Sequence, residues 1–196
     1  PAATSQEDFT SYVNVRIGSG GHGHVFVGAS VPFGAVQLGP TSIPQSWDWC
    51  SGYHSSDSTV IGFSHTHLSG TGIGDLFDIT LMPVVGAVRY SRGEEPKDST
   101  PEAIAAAQAT GMWSYADRTR EVARPGYYSV PLTRYGITAE MTATTRVGLS
   151  RYTFPASDSS AVVIDLENGG CWDRAYDTKF AVIDSCTIEG YRFSTG

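Results

Sequence analysis

Along most of this chain, apolar residues recur at every second position in short runs that glycine or proline then cuts. Side chains of an extended strand alternate between its faces, so a run of this kind buries one face and wets the other. The run 136–145 is the clearest case. Ile137, Ala139, Met141 and Ala143 share one face, and Thr138, Glu140, Thr142 and Thr144 share the other. Upstream, segments 12–17, 25–31, 33–38, 59–65, 78–82 and 84–91 read as strands; after the Pro125-Gly126 turn signal, strands return at 127–133, 145–154, 160–167, 178–184 and 186–193. AVVIDL, 161–166, shows no polar face before Asp165 and is expected as an inner strand. Thr100 is placed to cap a helix, Pro101 suits its first position, EAIAAAQA continues it and Gly111 stops it. That single short helix should decorate the sheets. About a dozen short strands with turn signals between them imply an all-β fold, an antiparallel β-sandwich. No internal repeat or low-complexity linker interrupts the pattern.

A chain of 196 residues suits one domain, 1–196. Its net charge of −7 comes from scattered acidic residues, which excludes the electrostatic footprint of a nucleic-acid or anionic-membrane binder. No apolar run approaches the roughly 20 residues of a membrane span. The opening PAATSQEDFT lacks the regions of a signal peptide and fits equally a mature N-terminus left by cleavage. The three cysteines allow a bridge between Cys171 and Cys186, which flank a strand connection, with Cys50 left over; reduced thiols are an equal reading. IEGYRFSTG ends just after a strand with no closing element, so the expectation is the front part of a longer protein.

The unusual chemistry is concentrated in 47–75, WDWCSGYHSSDSTVIGFSHTHLSGTGIGD, and in GSGGHGHVF just upstream. All five histidines lie between positions 22 and 67. His22 with His24, and His65 with His67, are spaced to project from one face of an extended segment, so each pair could serve a metal or a ligand. A cupin-type metal site also needs a carboxylate a few residues on, and VFVGAS follows His24 instead. Three readings stand: a transition-metal site, histidines bonded within the structure, and histidines lining a polar ligand site. Trp47-Asp48-Trp49 offers indole faces and a carboxylate, which suit the C–H faces and vicinal hydroxyls of a pyranose; burial of both indoles in the core is the alternative. SGTGIGD, 69–75, lacks the lysine of a P-loop and any surrounding βαβ unit, so its glycines are read as letting the backbone turn tightly beside a pocket. No nucleophile elbow supports Ser64 or Ser69, and nothing orients His54 as a base for Cys50.

GSGGHGHVFVGASVPFGAVQLGP, WDWCSGYHSSDSTVIGFSHTHLSGTGIGDLFDITLMP and ARPGYYSVPLTRYGITAEMTATTRVGLSRYTFP resemble successive signature blocks of the N-terminal domain of glycoside hydrolase family 92, the calcium-dependent exo-acting α-mannosidases. The resemblance covers nearly the whole chain from about Tyr12. It departs at Val15-Arg16, where the family has Pro-Phe, at Val27, where it has Pro, and at Phe77, where it has Gly and where the larger side chain could narrow the pocket. The resemblance implies an inverting mannosidase of two domains, a β-sandwich followed by an (α/α)6 barrel, with the active site between them. Inversion uses an acid and a base about 6.5 to 9.5 Å apart. The resemblance places both, and most of the calcium ligands, in the barrel, so no catalytic residue and no metal ligand is expected within these 196 residues. Calcium would engage sugar hydroxyls and help distort the ring.

By motif, a mannose-binding role passes to Trp47, Asp48, Trp49, Cys50, His54, His65 and His67, and with less direct correspondence to Gly21, His22 and His24. The implied partners are mannose-containing glycans, such as those met in N-glycan degradation, and the barrel domain. The implied location is secreted, periplasmic or at the cell surface. Two other classes remain open from the residues alone: a free-standing carbohydrate-binding module, and a His-rich metal-dependent β-sandwich protein.

Overall fold

The computed structural model describes residues 7–44, 46–70, 72–170 and 172–195. After a 3-10 turn at Phe9–Tyr12 come β1 (Ala29–Ser30), β2 (Gln37–Thr41), a 3-10 turn at Trp47–Trp49, β3 (Thr59–Val60), β4 (Gly62–Ser64) and β5 (Thr80–Val85). Helix α1 (Pro101–Thr110) separates these from β6 (Ser114–Tyr115), a 3-10 turn at Arg118–Arg120, β7 (Val122–Arg124), β8 (Tyr127–Leu132) and β9 (Ile137–Ala143). The last four strands are β10 (Gly148–Thr153), β11 (Ser160–Asp165), β12 (Ala175–Val182) and β13 (Ile188–Ser194).

Two sheets form an antiparallel sandwich, one ordered β1-β2-β4-β5-β11 and the other β10-β9-β8-β7, with β1 and β2 packed across β8 and β9. The alternation in β9 is realised as read: Ile137, Ala139, Met141 and Ala143 are buried while Thr138, Glu140 and Thr142 are not. Tyr128, Val130 and Leu132 of β8 lie opposite Met141, Ala139 and Ile137, so both strands turn one continuous apolar face inward. Leu38, Phe63, Met82 and Val84 meet that face from the other sheet. Fully burying a side chain of this class is worth about 1.5–3 kcal/mol, which makes this layer the main source of stability. A smaller sheet, β3-β6, and the hairpin β12-β13 complete the strands.

Helix α1 behaves as its sequence indicates. The Thr100 side chain accepts from the Ala103 amide, Pro101 opens the first turn, and none of its residues is buried. Arg134 and Arg89 donate to the carbonyls of Gln108 and Ala109, which supplies acceptor partners at the end where a helix exposes unpaired carbonyls. Among the described residues no helix is long and apolar enough to cross a membrane.

Several strand expectations change. Segment 12–17 forms turns, and 25–31 contributes only β1 and a bridge from Val25 to Ser69, because His24 bends the chain at φ 54°. Segment 59–65 divides at Ile61 into β3 and β4, which belong to different sheets. Of 84–91 only Val84 and Val85 extend β5 before Gly86 turns at φ 90°. AVVIDL is not an inner strand among the described residues: β11 pairs with β5 on one side and ends the sheet, leaving Val162 exposed. Its apolar run lines a groove of about 1160 Å³ shared with Tyr176 and Phe180 of β12. The short strands β6 and β7 had no periodic signal to announce them. Cys50 is buried and Cys186 exposed; the bridge considered for Cys171 lies outside the described residues.

Candidate functional site

The glycines before His24 exist to bring the chain back on itself. Val25 N donates to Gly18 O at 3.3 Å, and a Cβ on Gly23 would stand 2.0 Å from that same carbonyl oxygen. Gly21 takes φ 57°, which a residue without Cβ does at little cost. The tight loop ends at His24, whose own left-handed φ turns its ring inward until only 6% of the residue is exposed. His22, two residues earlier, stays in solvent.

Trp47, Asp48 and Trp49 form a single 3-10 turn rather than the extended segment expected for them. Hydrogen bonds Cys50 N to Trp47 O and Gly52 N to Trp49 O continue the bend. The turn sends the two indoles to different neighbours. Trp47 is 54% exposed, its ring 4.3 Å from His24 in an edge contact and 5.4 Å from His22. Its Nε1 donates to Gly72 O at 2.9 Å, and a Cβ on Gly72 would reach the indole at 3.4 Å, so this glycine lets the 69–75 loop lie against the ring. Trp49 instead lies 4.4 Å from the His54 ring in a tilted contact and donates Nε1 to Asp57 Oδ2 at 3.0 Å.

Asp48 joins the two halves. Its Oδ1 lies 2.5 Å from His22 Nδ1 and 3.8 Å from His24 Nε2. The hydrogen bond from His22 holds the Asp48 carboxyl below the usual carboxylate range. His24 Nε2 is buried and has no hydrogen-bond partner. Buried polar atoms are almost always paired, so this ring nitrogen, beneath a half-exposed indole and beside a carboxylate, is the atom of the cluster with hydrogen-bonding capacity to offer a ligand. His24 Nε2 and Asp48 Oδ1 are 3.8 Å apart, so a hydroxyl bonded to both would sit to one side of the line joining them, accepting or donating as the histidine tautomer requires.

Of the remaining sequence candidates, His54 and His67 are tied to the segments that carry this cluster, through Gly21 O and Ser51 O, whereas His65 is bonded to Ile79 O. His54 is buried, with Nδ1 at 2.7 Å from Ser56 Oγ and Nε2 at 3.2 Å from Gly21 O. His67 is buried deeper, its Nδ1 3.2 Å from Ser51 O and 3.5 Å from Asp75 Oδ2, its Nε2 3.3 Å from Gly39 O, and its ring between Phe26 and Phe77. His65 donates Nδ1 to Ile79 O at 2.7 Å, and burial pushes its imidazole below the usual range. Burial, with Asp75 close by, pushes the Cys50 thiol up, so it makes a poor nucleophile. Phe77 is completely buried against His67 and Gly52; it fills the interior and does not narrow an open pocket.

Asp75 was not singled out by sequence reasoning and is central here. It is buried, and its carboxylate takes the Leu68 amide at 2.6 Å and the Leu76 amide at 2.7 Å, closing the base of the glycine loop that touches Trp47. An aspartate ending a glycine-rich run was the available signal.

Among the described residues no group of three His, Cys, Asp or Glu side chains is arranged to hold a metal ion. Calcium takes six to eight oxygen ligands. One carboxylate between two imidazoles does not fit it, so no step is assigned to calcium here.

Comparison with known proteins places these features in context. The model of the glycosyl hydrolase family 92 N-terminal domain matches residues 12–196. A family GH92 α-mannosidase from Bacteroides thetaiotaomicron, solved in complex with mannoimidazole, is 36% identical with a TM-score of 0.87; the match covers 97% of this chain and 24% of that one. A family GH92 glycosyl hydrolase named ccman5 is 27% identical at TM-score 0.73, covering 93% of this chain and 24% of that one. Among curated proteins, a sequence described as an uncharacterized secreted glycosidase from Arthroderma benhamiae is 30% identical over 172 residues, 84% of this chain and 20% of its own length. The chain therefore spans about a quarter or less of the length of these relatives.

Proposed function

The chain belongs to glycoside hydrolase family 92, whose N-terminal domain it matches over residues 12–196, and we propose that it forms the substrate-facing wall of an exo-acting, inverting α-mannosidase. The observation that carries this reading is the unpartnered, buried Nε2 of His24, 3.8 Å from Asp48 Oδ1 under the exposed face of Trp47. An indole face packs against the C–H face of a pyranose, while the imidazole and carboxylate take a hydroxyl between them. His22 keeps Asp48 ionised and oriented, which suits a hydroxyl acceptor and disqualifies it as a proton donor to a leaving oxygen.

Inversion needs an acid and a base on opposite faces of the sugar. Among the described residues Asp48 is the carboxylate that His22 and His24 reach, and Asp75 is committed to backbone amides. Membership of family 92 implies that the catalytic pair, and any calcium, belong to a barrel domain outside these residues, with terminal α-mannosides of glycans as the substrate class. The relative described as a secreted glycosidase favours an extracellular or cell-surface setting.

The test is kinetic, in the full-length protein with an aryl α-mannoside. Asp48→Asn and Trp47→Ala should each lower kcat/KM by at least about tenfold, or about 1.4 kcal/mol in transition-state binding, and residues 1–196 alone should show no turnover. Calcium-stimulated hydrolysis by these residues alone would end the half-site reading; tight mannose binding by them without turnover would favour a carbohydrate-binding module.

A further inference from the structure

Two of the four non-glycine residues with positive φ among the described residues, Phe77 at 48° and Ile79 at 52°, flank Asp78. For a β-branched residue this conformation is a true outlier, and it persists only where surrounding contacts over-determine it. The contacts come from both sides. Arg192 of β13 grips the Asp78 carboxylate from 114 positions away in sequence. The Arg192 side chain is almost wholly buried, donating also to Asp173 Oδ2 at 2.8 Å and Leu166 O at 3.0 Å. Ser194 Oγ adds a hydrogen bond to Asp78 at 2.9 Å.

On the opposite side the turn is stitched to the segment that follows β4. Asp78 N donates to Thr66 Oγ1 at 2.9 Å, and His65 N donates to Asp78 O at 3.1 Å. Ile79 O receives His65 Nδ1 at 2.7 Å. A carbonyl oxygen only accepts, so this contact selects the tautomer protonated at Nδ1 and leaves Nε2 with its lone pair. Phe77 carries the turn in another direction: its ring lies 5.2 Å from that of His67, and a Cβ on Gly52, just past the Trp47–Trp49 turn, would meet it at 3.0 Å.

We propose that Arg192 is a positioning residue of the sugar-facing wall, locking turn 77–79 in its left-handed form from hairpin β12-β13 and thereby fixing the His65 tautomer and the seat of the Trp47–Trp49 turn. The proposal rests on the reading that this wall contacts the mannoside. A clamp serving stability alone has no need of strain, since glycine at 79 reaches the same φ without it but is not confined to that one conformation. The strain has a use if the turn must hold one shape.

Two variants of the full-length protein separate the roles. Arg192→Lys keeps the charge but cannot reach both carboxylates with a planar fork. Ile79→Gly relieves the strained backbone, so its thermal midpoint should equal or exceed that of the parent. Both should raise KM for an aryl α-mannoside by about tenfold with kcat within about twofold, the pattern of lost ground-state binding. Both should also give His65, identified by 15N-histidine spectra with His65→Asn as the blank, a mixture of tautomers where the parent shows Nδ1–H. Variants that keep the parent KM and the parent His65 tautomer overturn the proposal. If the parent itself hydrolyses no mannoside, the sugar-wall reading falls, and a His65 tautomer unchanged in both variants overturns the clamp separately.

Discussion

Asp75→Asn removes one oxygen acceptor and changes almost nothing in size, which makes it a sharp probe of how the glycine loop is held. The native carboxylate is 1% exposed and accepts two backbone amides, Leu68 N at 2.6 Å on Oδ2 and Leu76 N at 2.7 Å on Oδ1. An asparagine has one carbonyl oxygen, so whichever way it is turned, one of those amides faces an NH2 group and loses its acceptor. A buried donor left without a partner costs about 1–3 kcal/mol. Replacing the charge-assisted bond that remains by a neutral one adds about 1 kcal/mol, for a total of roughly 2–4 kcal/mol. For a chain of this size each kcal/mol moves the thermal midpoint by about 2–4 °C, so calorimetry of the 196-residue chain should register a fall of roughly 4–16 °C. Because the 69–75 loop also accepts Trp47 Nε1 through Gly72 O, tryptophan emission should shift in the native baseline. A midpoint within about 1 °C of the parent would refute the claim that Asp75 closes this loop.

Two further outcomes follow from the same geometry. Burial depresses the His65 pKa from 6.5, so the folded state resists protonation that the unfolded chain accepts; stability is held above about pH 6.5 and lost as pH falls below it. Thermal midpoints compared at about pH 7.5 and pH 5.5 should show this loss, and His65→Asn should flatten part of the slope. Gly23→Ala places a methyl where the nearest atom is a backbone oxygen 2.0 Å away, so the His22–His24 loop must shift; the expected cost is about 2 kcal/mol or more by chemical denaturation, together with weaker sugar binding.

The sheet core was legible in the sequence because each strand with one wet face writes its burial as alternation. β8, β9 and β10 appear within a few residues of where the pattern places them. Strands β6 and β7, two and three residues long, are too short to leave a periodicity to read; β6 is held by distant β3 and β7 by its hairpin with β8. The edge position of β11 was misread because an unbroken apolar run looks the same whether another strand or some other surface covers its second face. At the site, composition gathered the right residues but not their depth. His24 and His67 look alike in the sequence, yet one meets Trp47 with an unpaired nitrogen and the other has both nitrogens against oxygen acceptors. The difference lies in a left-handed residue and in Asp75, neither of which spacing alone can announce. Arg192 was invisible as a site residue, since its partner Asp78 is met only through the closure of the whole fold.

On the proposed reading, His24, Asp48 and Trp47 face the sugar. A structure of the full-length protein with an unhydrolysed α-mannoside tests it directly. In that structure a sugar hydroxyl lies within about 2.7–3.2 Å of His24 Nε2, shared with Asp48, and the ring's C–H face packs against Trp47. A mannoside bound elsewhere, with His24 Nε2 still unpartnered, would contradict it.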